Sequence, residues 1–265
     1  MKARQRLEAL RRENPSFQPW LALLEIALEA AGDATWEASA RETRLAAPAG
    51  GPALEGAVIP VDGRAAARLL ERLIGAASGE TRAAARAVEL DPARWLSAAL
   101  GPEPSLLGSS VELLAVADLM AWPLLMACGR RLADRCAGWN QGSCPICGAW
   151  PTLAELRGLD RSRRLRCGRC GADWGLDVLR CSFCDNRDHE RQRALVPEKG
   201  GESRRVDACD VCHGYLKALA QLGPLAPELI PLEDLASVEL DLAAIDRDYR
   251  RPETPARRLM ARVEV

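Results

Sequence analysis

Four short runs, Cys144-Pro-Ile-Cys147-Gly, Cys167-Gly-Arg-Cys170-Gly, Cys181-Ser-Phe-Cys184-Asp and Cys209-Asp-Val-Cys212-His, contain eight of the chain's ten cysteines. A two-residue spacer lets both sulfurs of a pair reach one ion from a tight turn. Two such turns supply the four thiolates that Zn²⁺ or a rubredoxin-type iron accepts. Nineteen residues separate Cys147 from Cys167 and 24 separate Cys184 from Cys209, near the length of a β-hairpin excursion, while only ten lie between Cys170 and Cys181. The spacing therefore predicts one site from Cys144, Cys147, Cys167 and Cys170, and a second from Cys181, Cys184, Cys209 and Cys212. A cross-braced pairing, first run with third and second with fourth, stays open, because spacing alone does not fix connectivity.

Two other uses of paired cysteines fit less well. Disulfides need an oxidising compartment, yet Met1 to Pro15 is charged throughout and holds no apolar segment of signal-peptide type. A thioredoxin-like dithiol places a single pair at a strand-to-helix junction, not four pairs in one turn-rich region.

A thiolate turn is tightest when the residue after its second cysteine takes a positive φ, which glycine does without steric cost. Gly148 and Gly171 meet this need at the first site, whereas Asp185 and His213 stand in these places at the second, which is expected to be the more labile. Arg164, Arg166, Arg169 and Arg180 are placed in sequence to offset the charge of four thiolates around a divalent ion. The basic run Arg157, Arg161, Arg163, Arg164, Arg166 and Arg169 allows an alternative, a nucleic-acid face. Over Gln141 to Lys217, however, 14 Lys and Arg stand against 11 Asp and Glu, which favours local compensation or a protein-binding surface.

Cys128 and Cys136 share a helical face with Leu125 and Leu132 and read as small apolar packing residues. His189 and His213 are not needed as ligands, since eight cysteines fill two sites. Trp139, Trp150 and Trp174 flank the first site and are expected to shield it. No Ser-His-Asp set, phosphate loop or His-Glu-x-x-His motif is present, and a carboxylate site stays open because the 37 acidic residues give no spacing signal of their own. A redox enzyme using a free dithiol is a further, less favoured reading.

Outside the cysteine region the composition changes. Lys2 to Glu13 predicts a helix, and Trp20, Leu21, Leu24 and Leu28 continue a helical stripe. Further helices are expected at Arg64 to Ala77, Glu80 to Leu90, Pro92 to Leu100, Ser109 to Ala121 and Pro123 to Ala137, with a loop over Ala47 to Gly63. His213 to Leu222 and Leu232 to Tyr249 also read as helical, the latter with Asp234, Leu235, Val238, Leu242 and Ile245 on one stripe, before a frayed tail from Arg250. The divisions expected are residues 1–139, a helical domain; 140–178, the first metal module; and 179–265, the second with the C-terminal helices. A net charge of −1 gives no general attraction to nucleic acid or anionic lipid. No stretch approaches about 18 consecutive apolar residues, so no membrane span is expected and the cytoplasm is the default address.

The runs Cys144-Pro-Ile-Cys147-Gly, Arg164-Leu-Arg-Cys167-Gly-Arg-Cys170-Gly with Trp174, Arg180-Cys-Ser-Phe-Cys184, and Cys209-Asp-Val-Cys212 followed by Tyr215-Leu-Lys217 resemble the FdhE family of formate dehydrogenase accessory proteins. Asp234-Leu-Ala-Ser-Val-Glu-Leu-Asp241 is similar to that family's C-terminal helix motif, and the first helix pair through Trp20 to its N-terminal region. The resemblance implies an α+β protein: an N-terminal helical bundle, two tandem rubredoxin-like, or zinc-ribbon, metal modules of four cysteines each, and C-terminal helices. It further implies a cytoplasmic assembly factor, not an enzyme, that binds the catalytic subunit of a formate dehydrogenase, with iron or zinc on the eight paired cysteines. The sequence departs from the family at Gly168, where serine is common, and in its C-terminal tail.

Overall fold

The computed structural model describes residues 2–46, 50–102, 104–108, 110–197, 203–252 and 256–265. Contacts divide the chain into two units, Met1–Leu132 with Arg258–Val265, and Ala133–Arg257. The break thus falls earlier than residue 139, both cysteine groups share one unit, and the last eight residues belong with the helices.

The first unit is built on α1 (Lys2–Glu13), α2 (Gln18–Ala30), α3 (Ala34–Glu42), α4 (Gly63–Ala76), α5 (Gly79–Arg86), α6 (Pro92–Leu100) and α7 (Val111–Arg131). Five of these start on a side-chain cap: Asp33, Asp62, Ser78, Asp91 and Ser110 each accept from backbone N–H groups of the first turn. Such caps satisfy donors that a helix start leaves open. The helices enclose Leu10, Leu21, Leu24, Trp36, Leu70 and Trp95, all buried.

Two expectations fail here. Pro123 does not separate two helices; α7 runs through it. Proline inside a helix costs about 3 kcal/mol, but Trp122, Leu124, Leu125, Met126 and Cys128 around it are all buried. Burying each large apolar side chain is worth about 1.5–3 kcal/mol, so packing outweighs the proline. By length and composition α7 could cross a membrane, yet 72% of its apolar window is buried within the fold, as in a core helix.

The tail is not frayed either. Leu259 and Ala261 alternate inward, and β8 (Arg262–Glu264) pairs in parallel with β1 (Val58–Pro60). The Arg262 amide donates to Ala57 O at 2.8 Å and the Val61 amide to Glu264 O at 2.7 Å. The expected loop from Ala47 to Gly63 therefore contains a strand; Ala47, Pro48 and Ala49 lie outside the described residues.

The second unit holds one six-stranded sheet in the order β4-β3-β2-β7-β6-β5. Its strands are β2 (Leu153–Arg157), β3 (Ser162–Arg166), β4 (Asp173–Gly175), β5 (Gln192–Leu195), β6 (Arg204–Cys209) and β7 (Tyr215–Gln221). Each cysteine group carries a three-stranded antiparallel meander, and the two meanders join through a parallel β2–β7 pair. The segment read as a helix from His213 to Leu222 is thus mostly β7. A central strand is covered on both faces, so Tyr215, Leu216, Lys217, Ala218 and Leu219 are all buried and show no alternation to read.

The expected helix from Leu232 to Tyr249 is two short ones, α8 (Ile230–Leu235) and α9 (Val238–Ile245). They meet at Ser237, whose buried hydroxyl donates to Glu233 O at 2.7 Å. The face also differs from the expected stripe. Leu240 and Ala244 pack on Val206, Ala208 and Tyr215, while Leu242 and Ile245 are 59% and 56% exposed.

Candidate metal centres

All four Cys-x-x-Cys runs fold into the same turn. In each, the residue after the second cysteine donates its N–H back to the carbonyl of the first: Gly148 to Cys144 at 3.0 Å, Gly171 to Cys167 at 2.9 Å, Asp185 to Cys181 at 3.2 Å and His213 to Cys209 at 2.8 Å. Each first cysteine donates to the carbonyl five residues on, namely Ala149, Ala172, Asn186 and Gly214. The pivot is left-handed in every case, with φ of 69° at Gly148, 75° at Gly171, 62° at Asp185 and 56° at His213. The same turn is therefore strain-free at two pivots and costs about 1–2 kcal/mol at each of the two side-chain-bearing ones.

The turns face each other in sequential pairs, not crossed ones. Cys144, Cys147, Cys167 and Cys170 form one group and Cys181, Cys184, Cys209 and Cys212 the other, with sulfurs of each group within 4.8 Å of one another. Across the facing turns Sγ lies 3.4 Å from Sγ for Cys144 and Cys170, and 3.5 Å for Cys147 and Cys167. The corresponding separations are 3.7 Å for Cys181 and Cys212 and 3.8 Å for Cys184 and Cys209. A tetrahedral ion with metal–sulfur bonds of about 2.3 Å sets its sulfurs about 3.8 Å apart, so both groups fit such an ion. Bonded sulfurs would be about 2.05 Å apart, so none of these four facing pairs is a disulfide.

Backbone amides soften the charge that four sulfurs would share. Ile146 and Cys147 N–H groups point at Cys144 Sγ, each at 3.4 Å, Phe183 N–H at Cys181 Sγ at 3.5 Å, and Gly214 N–H at Cys212 Sγ at 3.4 Å. Burial pushes the thiols of Cys144 and Cys170 well above the usual range. Cys167 is held well below it by hydrogen bonds from Cys144, Cys147 and Cys170. Burial likewise raises Cys181, to about 11. Ligation must displace these protons, so a divalent ion and protons compete for the same sulfurs.

Close backbone approaches fix the turns. A Cβ on Gly142 would sit inside the carbonyl of Ser182, and one on Gly214 would press on the Phe183 ring. The departure at Gly168 has a local reason: a Cβ there would stand 2.6 Å from Thr152 Oγ1, which accepts the Gly168 amide at 2.9 Å. Trp174 is buried and donates Nε1 to Gln141 O at 3.0 Å, and Trp139 donates to Ser143 O at 2.8 Å. Both brace the approach to the first group. Trp150 instead meets Phe183 edge-on at 5.3 Å, tying the first turn to the third.

The arginines do other work than expected. Arg164 pairs with Asp173 at 2.7 Å, Arg157 with Glu155 at 2.6 Å and Asp173 at 2.5 Å, Arg166 with buried Glu155, and Arg180 with Asp185. Carboxylates, not sulfurs, take most of this charge. Buried Arg163 donates to the carbonyls of Asp177 at 3.1 Å and Arg180 at 2.9 Å and to Ser182 Oγ at 3.2 Å, holding the segment that leads into Cys181. Four members of the basic run, Arg157, Arg163, Arg164 and Arg166, are thereby used within the fold.

Neither histidine belongs to a sulfur group, and neither do Cys128, buried in α7, or Cys136, half-buried in the turn Ala133–Cys136. A second set of residues escaped sequence reading. Buried Lys217 bonds Asp241 Oδ2 at 2.6 Å and Asp234 Oδ1 at 2.9 Å, and Arg251 bonds Asp234 at 2.5 Å and Asp241 at 3.1 Å. Tyr215 adds its hydroxyl to Asp241 at 2.8 Å. The Arg250 amide donates to His213 O at 2.8 Å and the Tyr249 hydroxyl to Asp210 at 2.6 Å, so this segment straps the fourth turn from behind. The motif ends Asp234 and Asp241 are visible in the sequence, but nothing local there announces Lys217 as their partner.

No protein-family model matches the chain. It is similar to a protein named FdhE homolog from Stutzerimonas stutzeri, 34% identical over 157 residues that cover 57% of this chain and 49% of that one. It is 29% identical over 116 residues to protein FdhE of Escherichia coli, covering 43% and 37% of the two chains. An FdhE homolog from Aquifex aeolicus is 28% identical over 120 residues, or 43% and 41%. The matches thus span about half or less of the length of these relatives. The crystal structure of the FdhE protein from Pseudomonas aeruginosa has the same fold, with a TM-score of 0.60 and 20% identity over 97% of this chain and 93% of that one.

Proposed function

We propose that this chain is a member of the FdhE family, a reading supported by its sequence relatives and consistent with its fold, and that it is an accessory protein for formate dehydrogenase maturation. It works in the cytoplasm, binds the catalytic subunit of that enzyme, and catalyses no reaction of its own. The binding surface is carried on two rubredoxin-like modules, each held by one ion on the sulfurs of Cys144, Cys147, Cys167 and Cys170 or of Cys181, Cys184, Cys209 and Cys212. The ion is iron or zinc, both of which accept four tetrahedral thiolates.

The observation that carries this reading is the pair of four-sulfur groups, each built from two facing turns with one hydrogen-bond pattern. Sulfurs so arranged fit a tetrahedral ion, and ligation at such sites is folding free energy. The nucleic-acid reading loses its main support, because four arginines of the basic run already serve carboxylates and carbonyls within the fold.

The test is capture from extract of the native cells, with bound proteins identified by mass. The catalytic subunit of a formate dehydrogenase is expected among them; its absence from extract that contains it would overturn the assignment. Elemental analysis of the same preparation is expected to give two ions per chain, and a sulfur-to-iron absorption band separates iron from zinc.

A further inference from the structure

The two sulfur groups match in geometry and differ in access. Every sulfur-bearing residue of the first group is buried, whereas in the second Cys212 is half-buried and Cys184 is exposed, alone among the eight. The residues inside the turns differ in the same sense. Ile146, inside the first turn, is buried, while Val211, inside the fourth, is 52% exposed. Cys184 also has a neighbour suited to react with it: Cys209 Sγ, on the facing turn, lies 3.8 Å away.

We propose that the second group is an oxidation-gated metal site, in which a peroxide converts Cys184 and Cys209 to a disulfide and releases the ion while the first group keeps its own. The inference rests on the reading of both groups as metal centres. The Cys184 thiolate attacks one oxygen of hydrogen peroxide; the O–O bond breaks, hydroxide leaves, and the sulfur becomes a sulfenic acid. The Cys209 thiolate then attacks that sulfur, the S–O bond breaks, a second hydroxide leaves, and the S–S bond forms. The two sulfurs together give up two electrons, and the peroxide takes them to become two hydroxides, which two protons turn to water.

With Cys184 and Cys209 joined, one ligand has been taken from each turn. Cys181 and Cys212 alone then remain, too few to hold a tetrahedral ion. The strained pivots Asp185 and His213 add to the release, since the turns they close relax once the sulfurs are no longer clamped. The first group offers a peroxide no exposed sulfur and has glycine at both pivots.

The test uses the full chain loaded with zinc alone, its content measured first. Hydrogen peroxide is then added while a chromogenic chelator reports free zinc, and disulfides are mapped by mass after thiol blocking. One zinc per chain is expected to appear about tenfold faster than the other, together with a Cys184–Cys209 bridge, because oxidation follows exposure. Dithiothreitol with added zinc restores the starting content. Release of both ions at one rate, earlier oxidation within the first group, or a Cys181–Cys184 bridge in place of the crossed one would each overturn the inference while leaving two metal centres standing. A chain that holds no zinc at the outset would overturn the metal reading and this inference together.

Discussion

The helical unit and the sheet unit solve the same problem with different materials. The first closes over leucines, alanines and tryptophans, with Leu10, Leu21, Leu54, Ile59 and Trp95 fully buried. The second buries apolar side chains as well, Leu153, Leu165, Trp174 and Leu219 among them, and beside them it buries charge. Among the described residues Glu155, Arg163, Arg166 and Lys217 are the buried charged side chains, and all four belong to the sheet unit. Buried ion pairs contribute little net stability against an apolar alternative, though losing one partner is costly. Both units therefore bury apolar side chains, but in the sheet unit buried ion pairs add to the fixing of register and the two four-sulfur groups offer ligation at the turns.

Removing metal gives the strongest contrast. Chelation under reducing conditions is expected to unfold the sheet unit and spare the helices, because such a site contributes on the order of 10 kcal/mol of folding free energy. Hydrogen exchange read by mass should show protection lost from Leu153 through Gln221 and kept in α4 and α7; equal loss in both would break the distinction. A single-site version comes next. Cys167→Ser is expected to lose one ion and lower the melting point of the sheet unit more than Cys184→Ser does, and the reverse order would refute the ranking of buried over exposed ligands.

Smaller changes sharpen the comparison. Lys217→Met leaves Asp234 and Asp241 to the Arg251 cation, with the Tyr215 hydroxyl still on Asp241, and should destabilise the sheet unit by about 3–5 kcal/mol, measured by urea unfolding of the metal-loaded protein. Leu70→Ala should cost the helical unit about 2–5 kcal/mol through a cavity instead of an uncompensated charge. Asp62→Ala removes the cap of α4 and should cost about 1 kcal/mol.

The weakest effect concerns pH. Burial acts to raise the Asp173 carboxyl, but hydrogen bonds from Arg157 and Arg164 outweigh it and hold the group below the usual carboxylate range. Its contribution is then complete above about pH 4, the unfolded value, and is lost as pH falls through the lower folded one. Asp173→Asn should flatten that part of the acid stability curve, and an unchanged curve would remove Asp173 from the account.

What could be read from the chain follows the same division. Helices with local caps, such as Asp62 before α4 and Asp91 before α6, announce themselves within a few residues. The four turns do so as well, since a Cys-x-x-Cys run and its pivot are local. Features that depend on distant partners stayed hidden. The central strand β7 lacks alternation because both faces are covered, α7 passes through Pro123 because its surroundings bury it, and Lys217 meets Asp234 and Asp241 only in the folded chain. The arginines after Leu156 misled for a related reason. Sequence shows their charge but not that Glu155 and Asp173 take it up.

The pairing of Val58–Pro60 with Arg262–Glu264 sets an order on biosynthesis. A ribosome delivers the cysteine region before the strand that completes the helical unit, so the four cysteine turns can form while the earlier half of the chain still carries an unpaired edge. Such an edge is a template for wrong partners. Slow translation through the cysteine turns would lengthen that exposure, and a frameshift between the last cysteine turn and Arg262 would harm the part of the protein made before it.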